Sequence, residues 1–402
     1  MTLPDLQYLL TPAAGALIAQ NAAADASQWV LANRAKLGPQ AALIATQIAL
    51  RQKAHAKLPT WAHAETVLEP QAFEQSTAEA TLSLKEDWRG QTALDLTCGL
   101  GLDAWALARR FERVVALERN EVLVHMARHN FKQLGVANIE VVHADAAQWL
   151  QAYGGPPFDL IYADPARRTA RTVKAIALAD MEPNVLNLLP QLQQHGAAGL
   201  LKLSPLYEVT QAWKDLPHVR RVLVLGVASE CKEVLVELDF NHTATTRYVE
   251  ARMLRRGLVF SIGGVPQQPL PPFASAGRYL YEPDVTLYKA ALLPAWLQQH
   301  PHAQPTGPQG YCLSNDALPD VAGRGFAVQA AMPYKPRIIA DYLKAQQLRQ
   351  ANVARRGFRL TVAEIRKQLK LAEGGTDYLF CTDTPAGPMA YFCRPINESS
   401  SG

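Results

Sequence analysis

Asp95-Leu-Thr-Cys-Gly-Leu-Gly101-Leu-Asp103 is the stretch that decides how this chain folds. It follows the apolar run Ala93–Leu96 and leads into a helix-compatible segment, Asp103 to Phe111. Glycines at 99 and 101 allow a tight strand-to-helix turn whose backbone can approach a ligand without a Cβ clash. The first amides of the following helix point at the same crevice. Further apolar runs occur at Val114–Leu117, Ile139–Val142, Phe158–Tyr162 and Gly199–Leu203. Between them lie segments of helical period, such as Leu123, Met126, Ala127, Phe131 and Leu134, closed by Gly135. This alternation predicts a parallel sheet covered on both faces. It stops at Arg221–Val227 and Glu233–Phe240, two strand-like runs joined by a loop too short for a crossover helix. They must pair antiparallel, a finish unlike that of a dinucleotide-binding fold.

A length of 402 residues predicts two or three domains. Hydrophobic residues at 49% and charged residues at 19% describe an ordinary globular chain rather than a disordered one. A formal charge of +4 permits a nucleic-acid partner without requiring one. Cys98, Cys231, Cys312, Cys381 and Cys393 are scattered and form no CxxC pair, so neither a metal site nor a disulfide framework is expected. The start, Met1 to Tyr8, has neither the basic nor the apolar segment of a signal peptide. No apolar run approaches the roughly 20 residues of a membrane span. A cytoplasmic protein with no membrane partner is expected, of unspecified oligomeric state.

Residues 1–72 are rich in Ala, Leu and Gln and read as a helical domain, with Leu43, Ile44, Ile48 and Leu50 sharing a buried face. Arg51, Lys53 and Lys57 read as its solvated side. Residues 73–245 form the α/β domain, 246–310 a Pro- and Gly-rich linker with an accessory helix, and 311–395 a third unit. That unit is expected to have helices near 338–348 and 362–371 and strands at Tyr378–Cys381 and Met389–Cys393.

The glycine loop acquires meaning from its companions. Glu118 ends the second strand, where a carboxylate accepts hydrogen bonds from two ribose hydroxyls. Asp145 follows the third strand, placed for an adenine amino group. Before the first strand, Ser76 and Glu79 have capping-box spacing in Phe73-Glu-Gln-Ser-Thr-Ala-Glu79, which would begin a helix near a ligand's amino-acid end. A nicotinamide dinucleotide competes, because Ala104 completes a nominal G-x-G-x-x-G. Asp103 would then face a pyrophosphate, where negative charge is unfavourable. S-adenosylmethionine (SAM) carries no phosphate, and together with the terminal hairpin this favours SAM. The expected cofactor residues are Gln75, Ser76, Asp95, Thr97, Cys98, Gly99, Gly101, Asp103, Glu118, Arg119, Asp145, Ala146 and Asp164.

At Asp95-x-x-x-Gly99-x-Gly101, Glu118, Asp145 and Asp164-Pro-Ala-Arg167 the chain resembles class I SAM-dependent methyltransferases. The flanking stretches Phe73–Thr77, Phe158–Arg168, Tyr281–Lys289 and Leu369–Gly375 resemble the bacterial members that carry a C-terminal THUMP-like domain. The resemblance implies a Rossmann-like seven-stranded methyltransferase domain between a helical N-terminal domain and an α+β THUMP-like domain. It also implies methylation of RNA, a tRNA or rRNA.

Family members acting on amines have Asp/Asn-Pro-Pro-aromatic after the fourth strand. Here Ala166 and Arg167 replace the second proline and the ring. Asp164 keeps its capacity to accept a hydrogen bond from a base nitrogen. Asp164, Pro165 and Arg167 are therefore the candidate catalytic residues, with Arg167 or Arg168 available to a phosphate or a base face. Asp-Pro-Ala-Arg also resembles the motif of uridine C5 RNA methyltransferases. Those require a cysteine after the fifth strand, where this chain has Ser204-Pro205, which disfavours that chemistry; Cys231, in the hairpin, is not expected to be catalytic. Nine basic residues from Arg337 to Lys370 face only Asp341 and Glu364. With Tyr342 and Phe358 interleaved as stacking surfaces, they suit RNA. A nucleotide-dependent oxidoreductase, or a SAM- and RNA-binding protein without turnover, are the alternatives.

Overall fold

The computed structural model describes residues 1–167, 177–242, 246–319 and 321–396. The chain divides into two compact units, Met1–Val227 with Lys232–Arg247, and Ala228–Cys231 with Tyr248–Gly402.

The first unit opens with four helices, α1 (Leu3–Leu9), α2 (Pro12–Gln20), α3 (Ala26–Leu37) and α4 (Gln40–Lys57). Thr2, Thr11 and Asp25 cap the first three by accepting N-terminal amide hydrogens. In α4 the buried positions include Ala41, Ile44, Ile48 and Leu50, with Leu43 only partly covered. The same face buries Gln47, whose amide donates to the Leu68 carbonyl at 2.6 Å and accepts from the Leu68 amide at 3.0 Å.

Two short helices follow, α5 (Pro59–His63) and α6 (Pro70–Gln75). Lys57 departs from its expected solvated role. Its ammonium donates to the carbonyls of Phe73 at 2.5 Å and Glu74 at 3.0 Å, satisfying the end of α6. Then come α7 (Glu79–Leu82) and β1 (Gly90–Asp95).

The sheet continues with α8 (Leu102–Ala108), β2 (Phe111–Glu118), α9 (Glu121–Gln133), β3 (Ile139–His143), α10 (Ala146–Ala152) and β4 (Phe158–Ala163). Helix α8 ends at Ala108, so Phe111 begins β2 rather than closing a helix. A minor ribbon, β5 (Ala166–Arg167) against β6 (Met181–Glu182), precedes α11 (Val185–His195) and β7 (Gly196–Leu203). After α12 (Ala212–Asp215) come β8 (Val219–Val227) and β9 (Glu230–Asp239). The strand order is β8-β9-β7-β4-β1-β2-β3. Strands β3, β2, β1, β4 and β7 run parallel. Strand β9 lies antiparallel to β7 (Leu200↔Glu237), and a two-residue turn joins β8 to β9. This is the expected parallel sheet with an antiparallel end. The β1/β4 boundary is its switch point, where the chain runs from β1 out to β2 and β3 on one side and returns to β4 on the other.

Asn130 of α9 ties this sheet to the helical segment. It accepts from the Val67 amide at 2.8 Å and donates to the Val67 carbonyl at 2.9 Å. Gln47 and Asn130 thus clamp Val67-Leu68 from two sides, and the clamped segment feeds α6.

The second unit contains a hairpin, β10 (Val249–Arg255) with β11 (Leu258–Gly264), turned on Arg256-Gly257, both at positive φ. Its other strands are β12 (Tyr279–Pro283), β13 (Gln304–Pro305), β14 (Cys312–Ser314), β15 (Gly323–Pro333), β16 (Asn352–Arg355), β17 (Tyr378–Thr384) and β18 (Gly387–Pro395). They form one sheet in the order β13-β14-β12-β15-β18-β17-β16. Residues 246–310, expected as linker and accessory segment, therefore hold a hairpin and two strands of this sheet, internal β12 and edge β13. They also hold α13 (Val285–Lys289) and α14 (Leu293–Gln299), where one accessory helix was expected.

Strand alternation splits the second unit's core. Leu379, Cys381, Ala390 and Phe392 pack with Ile339 and Leu343 of α15 (Pro336–Ala345) and Ile365 and Leu369 of α16 (Val362–Leu369). Phe380, Tyr391 and Cys393 pack on the opposite face with Leu280, Tyr311 and Phe326. The aromatic residues expected to offer stacking surfaces are spent here: Phe358 is buried in the first cluster, and Tyr342 lies 4.6 Å from the Phe392 ring. No helix among the described residues is long and apolar enough to cross a membrane.

Candidate functional site

The carboxyl ends of β1, β2, β3 and β4 open onto a cavity of about 420 Å³. The loop after β1 forms its floor. Gly99 and Gly101 both have positive φ, 56° and 99°. A Cβ on Gly101 would strike the Phe131 ring, so glycine is required there on two counts. The Gly99 amide donates to Glu118 Oε2 at 2.9 Å, and the Asn120 amide donates to Oε1 at 2.8 Å. Each Glu118 oxygen is thus aimed by one backbone hydrogen and keeps further acceptor capacity.

Asp95 departs from its expected place. It is fully buried beneath the loop and does not line the cavity. Its Oδ1 accepts from the Thr97 amide at 2.9 Å, and the Thr97 hydroxyl accepts from the Asp164 amide at 2.7 Å. Asp95 therefore shapes the turn that links the ends of β1 and β4. Burial pushes its carboxyl up to about 8, against the opposing Thr97 hydrogen bond.

The other expected cofactor residues meet at the cavity. Gln75, Ser76, Thr97, Cys98, Asp103, Glu118, Arg119, Asp145, Ala146 and Asp164 line it, together with Gly99 and Gly101. Asp145 caps α10, its Oδ1 accepting from Ala147 and Gln148 at 3.0 and 3.1 Å. Arg119 is exposed, 3.9 Å from Glu182. Burial first, then Asp95 and Glu118, raise the Cys98 thiol well above its usual range.

The Ser76–Glu79 capping box does not form. Ser76 instead ends α6, its hydroxyl donating to the Phe73 carbonyl at 2.9 Å. Glu79 is drawn away by Thr60, whose amide and hydroxyl it accepts from. Helix α7 starts after Ala78 without a side-chain cap. Of the catalytic candidates, Asp164 lines the cavity while Pro165 is buried away from it. The Arg167 backbone belongs to β5, paired with Met181. Its side chain, with Arg168 and Arg171, falls outside the described residues.

Residues not singled out in the sequence complete the site. Lys202 of β7 places its ammonium 2.5 Å from Asp164 Oδ2 and 2.9 Å from the Thr77 hydroxyl. Asp103 accepts from Thr77 at 2.7 Å and from Lys85 at 2.8 Å, and Lys85 reaches Glu233 at 2.6 Å. Burial alone would raise the Asp103 carboxyl, but Lys85 and Lys202 hold it well below its usual range. A lysine inside the apolar run Gly199–Leu203 was the available signal for Lys202. Nothing in the sequence pairs Lys85 with Glu233.

After β7, Ser204 stands in a turn, accepting the Leu206 amide at 3.3 Å. The loop amide of Gly99 is held by a carboxylate, and Asp103 and Asp164 face the same cavity. Asp103, Glu118, Asp145, Asp164 and Glu182 outnumber Arg119 and Lys202 in the lining, a balance hostile to a dinucleotide pyrophosphate.

Comparison with known proteins agrees with this geometry. A methyltransferase domain model matches residues 93–181, and a THUMP domain-like model matches residues 323–395. An uncharacterised S-adenosylmethionine-dependent methyltransferase of Mycobacterium tuberculosis is 25% identical over 376 residues, covering 90% of this chain and 99% of that protein. A crystal structure from Porphyromonas gingivalis W83, provisionally assigned as a methyltransferase, is 27% identical with a TM-score of 0.85, covering 96% of this chain and 98% of that one. The 23S rRNA (uracil(747)-C(5))-methyltransferase of Vibrio vulnificus is 28% identical over 184 residues, 43% of this chain and 48% of that protein. The chain is a SAM-dependent methyltransferase, with a methyltransferase domain and a C-terminal THUMP-like domain.

Proposed function

We propose that the enzyme methylates a base nitrogen of RNA, a tRNA or rRNA, with Asp164 orienting the target atom. The observation that carries this reading is the convergence of Glu118, Asp145 and Asp164 on one cavity floored by Gly99 and Gly101. Glu118 retains a lone pair on each oxygen for the two ribose hydroxyls, and Asp145 has capacity left for an adenine amino group. SAM, when bound, supplies a methyl group activated by a sulfonium. Asp164 accepts a hydrogen from the target nitrogen and aims its lone pair along the line of displacement. The N–C bond forms as the C–S bond breaks, and the nitrogen's proton leaves through the carboxylate to solvent.

Nitrogen is favoured over carbon because no cysteine directly follows β7. The residue after β7 is Ser204, and the Cys98 thiol is buried and raised. The relatives named for uracil C5 methylation match under half of this chain, so their product does not carry over with the fold. RNA is favoured by the THUMP-like domain and by its exposed cations, Arg337, Lys344, Arg349, Arg355, Arg359, Lys367 and Lys370. Arg356 and Arg366 are instead paired with Glu282 and Glu373.

Methyl-labelled SAM incubated with total RNA, DNA or protein tests the reading. Label is expected in RNA, and Asp164→Ala is expected to lower incorporation about 100-fold or more while calorimetry still detects SAM binding. Mass spectrometry of the digested nucleosides should show an N-methylated base. Label confined to protein or DNA, a C5-methylated uridine, or unchanged transfer by Asp164→Ala would each sink it.

A further inference from the structure

Lys202 sits in the apolar strand β7, 8% exposed, with its ammonium among three oxygen groups: Asp164 Oδ2 at 2.5 Å, Thr77 Oγ1 at 2.9 Å and Asp103 Oδ2 at 3.6 Å. Asp103 is gripped from its other side by Lys85, which also binds Glu233. Five side chains, from the segment before β1, from α8, from the end of β4, from β7 and from β9, thus form one run of alternating charge. It reads Glu233, Lys85, Asp103, Lys202, Asp164, and its last member faces the cavity. Taking ions out of water costs several kcal/mol each, and such pairs seldom stabilise a fold better than well-packed apolar groups. Stability alone therefore gives little reason for a lysine at this position. Its location does: the run ends on Asp164, which lines the cavity.

We propose that Lys202 is a positioning residue for methyl transfer, its ammonium fixed by Thr77 and Asp103 so that it holds the Asp164 carboxylate ionised and turned toward the target nitrogen. Lys202 acts through Asp164, so its role rests on the placement of the target nitrogen there. The charged and titratable groups around Asp164 are Lys202 on β7, Asp103 on α8, Glu233 on β9, Asp95 at the end of β1 and Tyr162 on β4, with Lys85 behind Asp103. Burial, Asp103 and Glu233 raise the Asp164 carboxyl, and Lys202 opposes them. Without Lys202, the acids would share Lys85 alone, and Asp164 would take up a proton at higher pH. A protonated carboxyl offers its own hydrogen where the amine requires an acceptor, so the acidic limb of the pH–rate profile must move upward.

The test compares wild type, Lys202→Gln and Lys202→Arg by kcat against pH. SAM affinity is measured separately by calorimetry. Infrared titration of ¹³C-aspartate-labelled protein follows protonated carboxyls, and Asp164→Asn on each background identifies the Asp164 signal. Lys202→Gln should move both the acidic limb and the Asp164 infrared midpoint up by about one pH unit or more, a tenfold change in the ionisation constant. Lys202→Arg, which keeps the cation, should restore the limb and midpoint even where the new geometry lowers kcat. Equal midpoints in wild type and Lys202→Gln, or a loss confined to SAM affinity, would overturn the role. If Lys202→Gln does not fold, Lys202→Met takes its place: a midpoint raised by about one pH unit or more upholds the role, and a wild-type midpoint overturns it. Wild type that puts no label into RNA would remove the proposed acceptor, while the infrared midpoints would still decide the role of Lys202.

Discussion

At Asp95 a carboxyl is fully buried, with Oδ1 satisfied by Thr97 and Oδ2 facing no hydrogen-bond partner among the described residues. Burial raises it from 3.8 to about 8, so the folded chain keeps a proton that the unfolded chain releases. Its contribution to stability is full below the unfolded value and is lost as pH rises through the folded one. Asp95→Asn mimics the protonated form and cannot ionise. Its melting temperature relative to wild type should therefore rise between pH 5 and pH 8; thermal unfolding across that range checks this, and a constant difference would contradict a buried neutral Asp95. A strand-end aspartate followed by G-x-G reads equally well as a ligand or as a brace. Only the burial of its side chain separates the two.

Two stretches of the same pattern show how elements depend on neighbours. Thr361 and Glu364 form a complete capping box on α16, with the Glu364 amide donating to Thr361 at 3.2 Å and the Thr361 amide to Glu364 at 2.7 Å. Thr361→Ala should destabilise the second unit by about 1 kcal/mol, read as a lower midpoint in denaturant. A change no larger than that of a surface control would refute the cap's contribution. Ser76 and Glu79 have the same spacing, yet Thr60, remote in sequence, captures Glu79 and leaves α7 uncapped. The runs behind β1, β2, β4 and β7 were legible because strands buried on both faces are continuously apolar, while the edge strand β3 buries only Val141 and was legible from its β-branched residues. Gly135 was also legible, ending α9 at φ 68° with the Val136 amide bonded to the Phe131 carbonyl. Strand β15 was not: Gly323-Arg-Gly-Phe-Ala-Val-Gln mixes small and polar residues and is mostly only half buried, so no period marks it.

On the scale of the whole molecule, the chain divides into a methyltransferase unit and a THUMP-like unit of different charge pattern. The methyltransferase unit gathers paired charges at its cavity, Lys202 with Asp103 and Asp164, whereas the THUMP-like unit exposes cations with few acids near them in sequence. If those cations meet phosphates, replacing Arg337, Lys344 and Lys367 together with alanine should weaken binding to every RNA similarly. It should also reduce the salt dependence, by about 0.7 to 0.9 per lost phosphate contact in the log–log slope. Filter binding or fluorescence anisotropy over a salt series measures both. An unchanged slope would place the RNA elsewhere.

The sequence by itself determined the sheet, its antiparallel end, and the loop from Asp95 to Gly101 with Glu118 and Asp145 as companions. These follow from local hydrophobic period and from backbone turns that only glycine closes. What the tertiary structure alone decided is where each acid goes and which group it pairs with. Asp95 went under the loop, Asp103 was taken by two lysines, and Glu79 was claimed by Thr60. Lys202 arrived at Asp164 from a strand 38 residues further along the chain. Pairings across such separations depend on strand order and side-chain burial, which are properties of the packed sheet and leave no periodic trace in the chain.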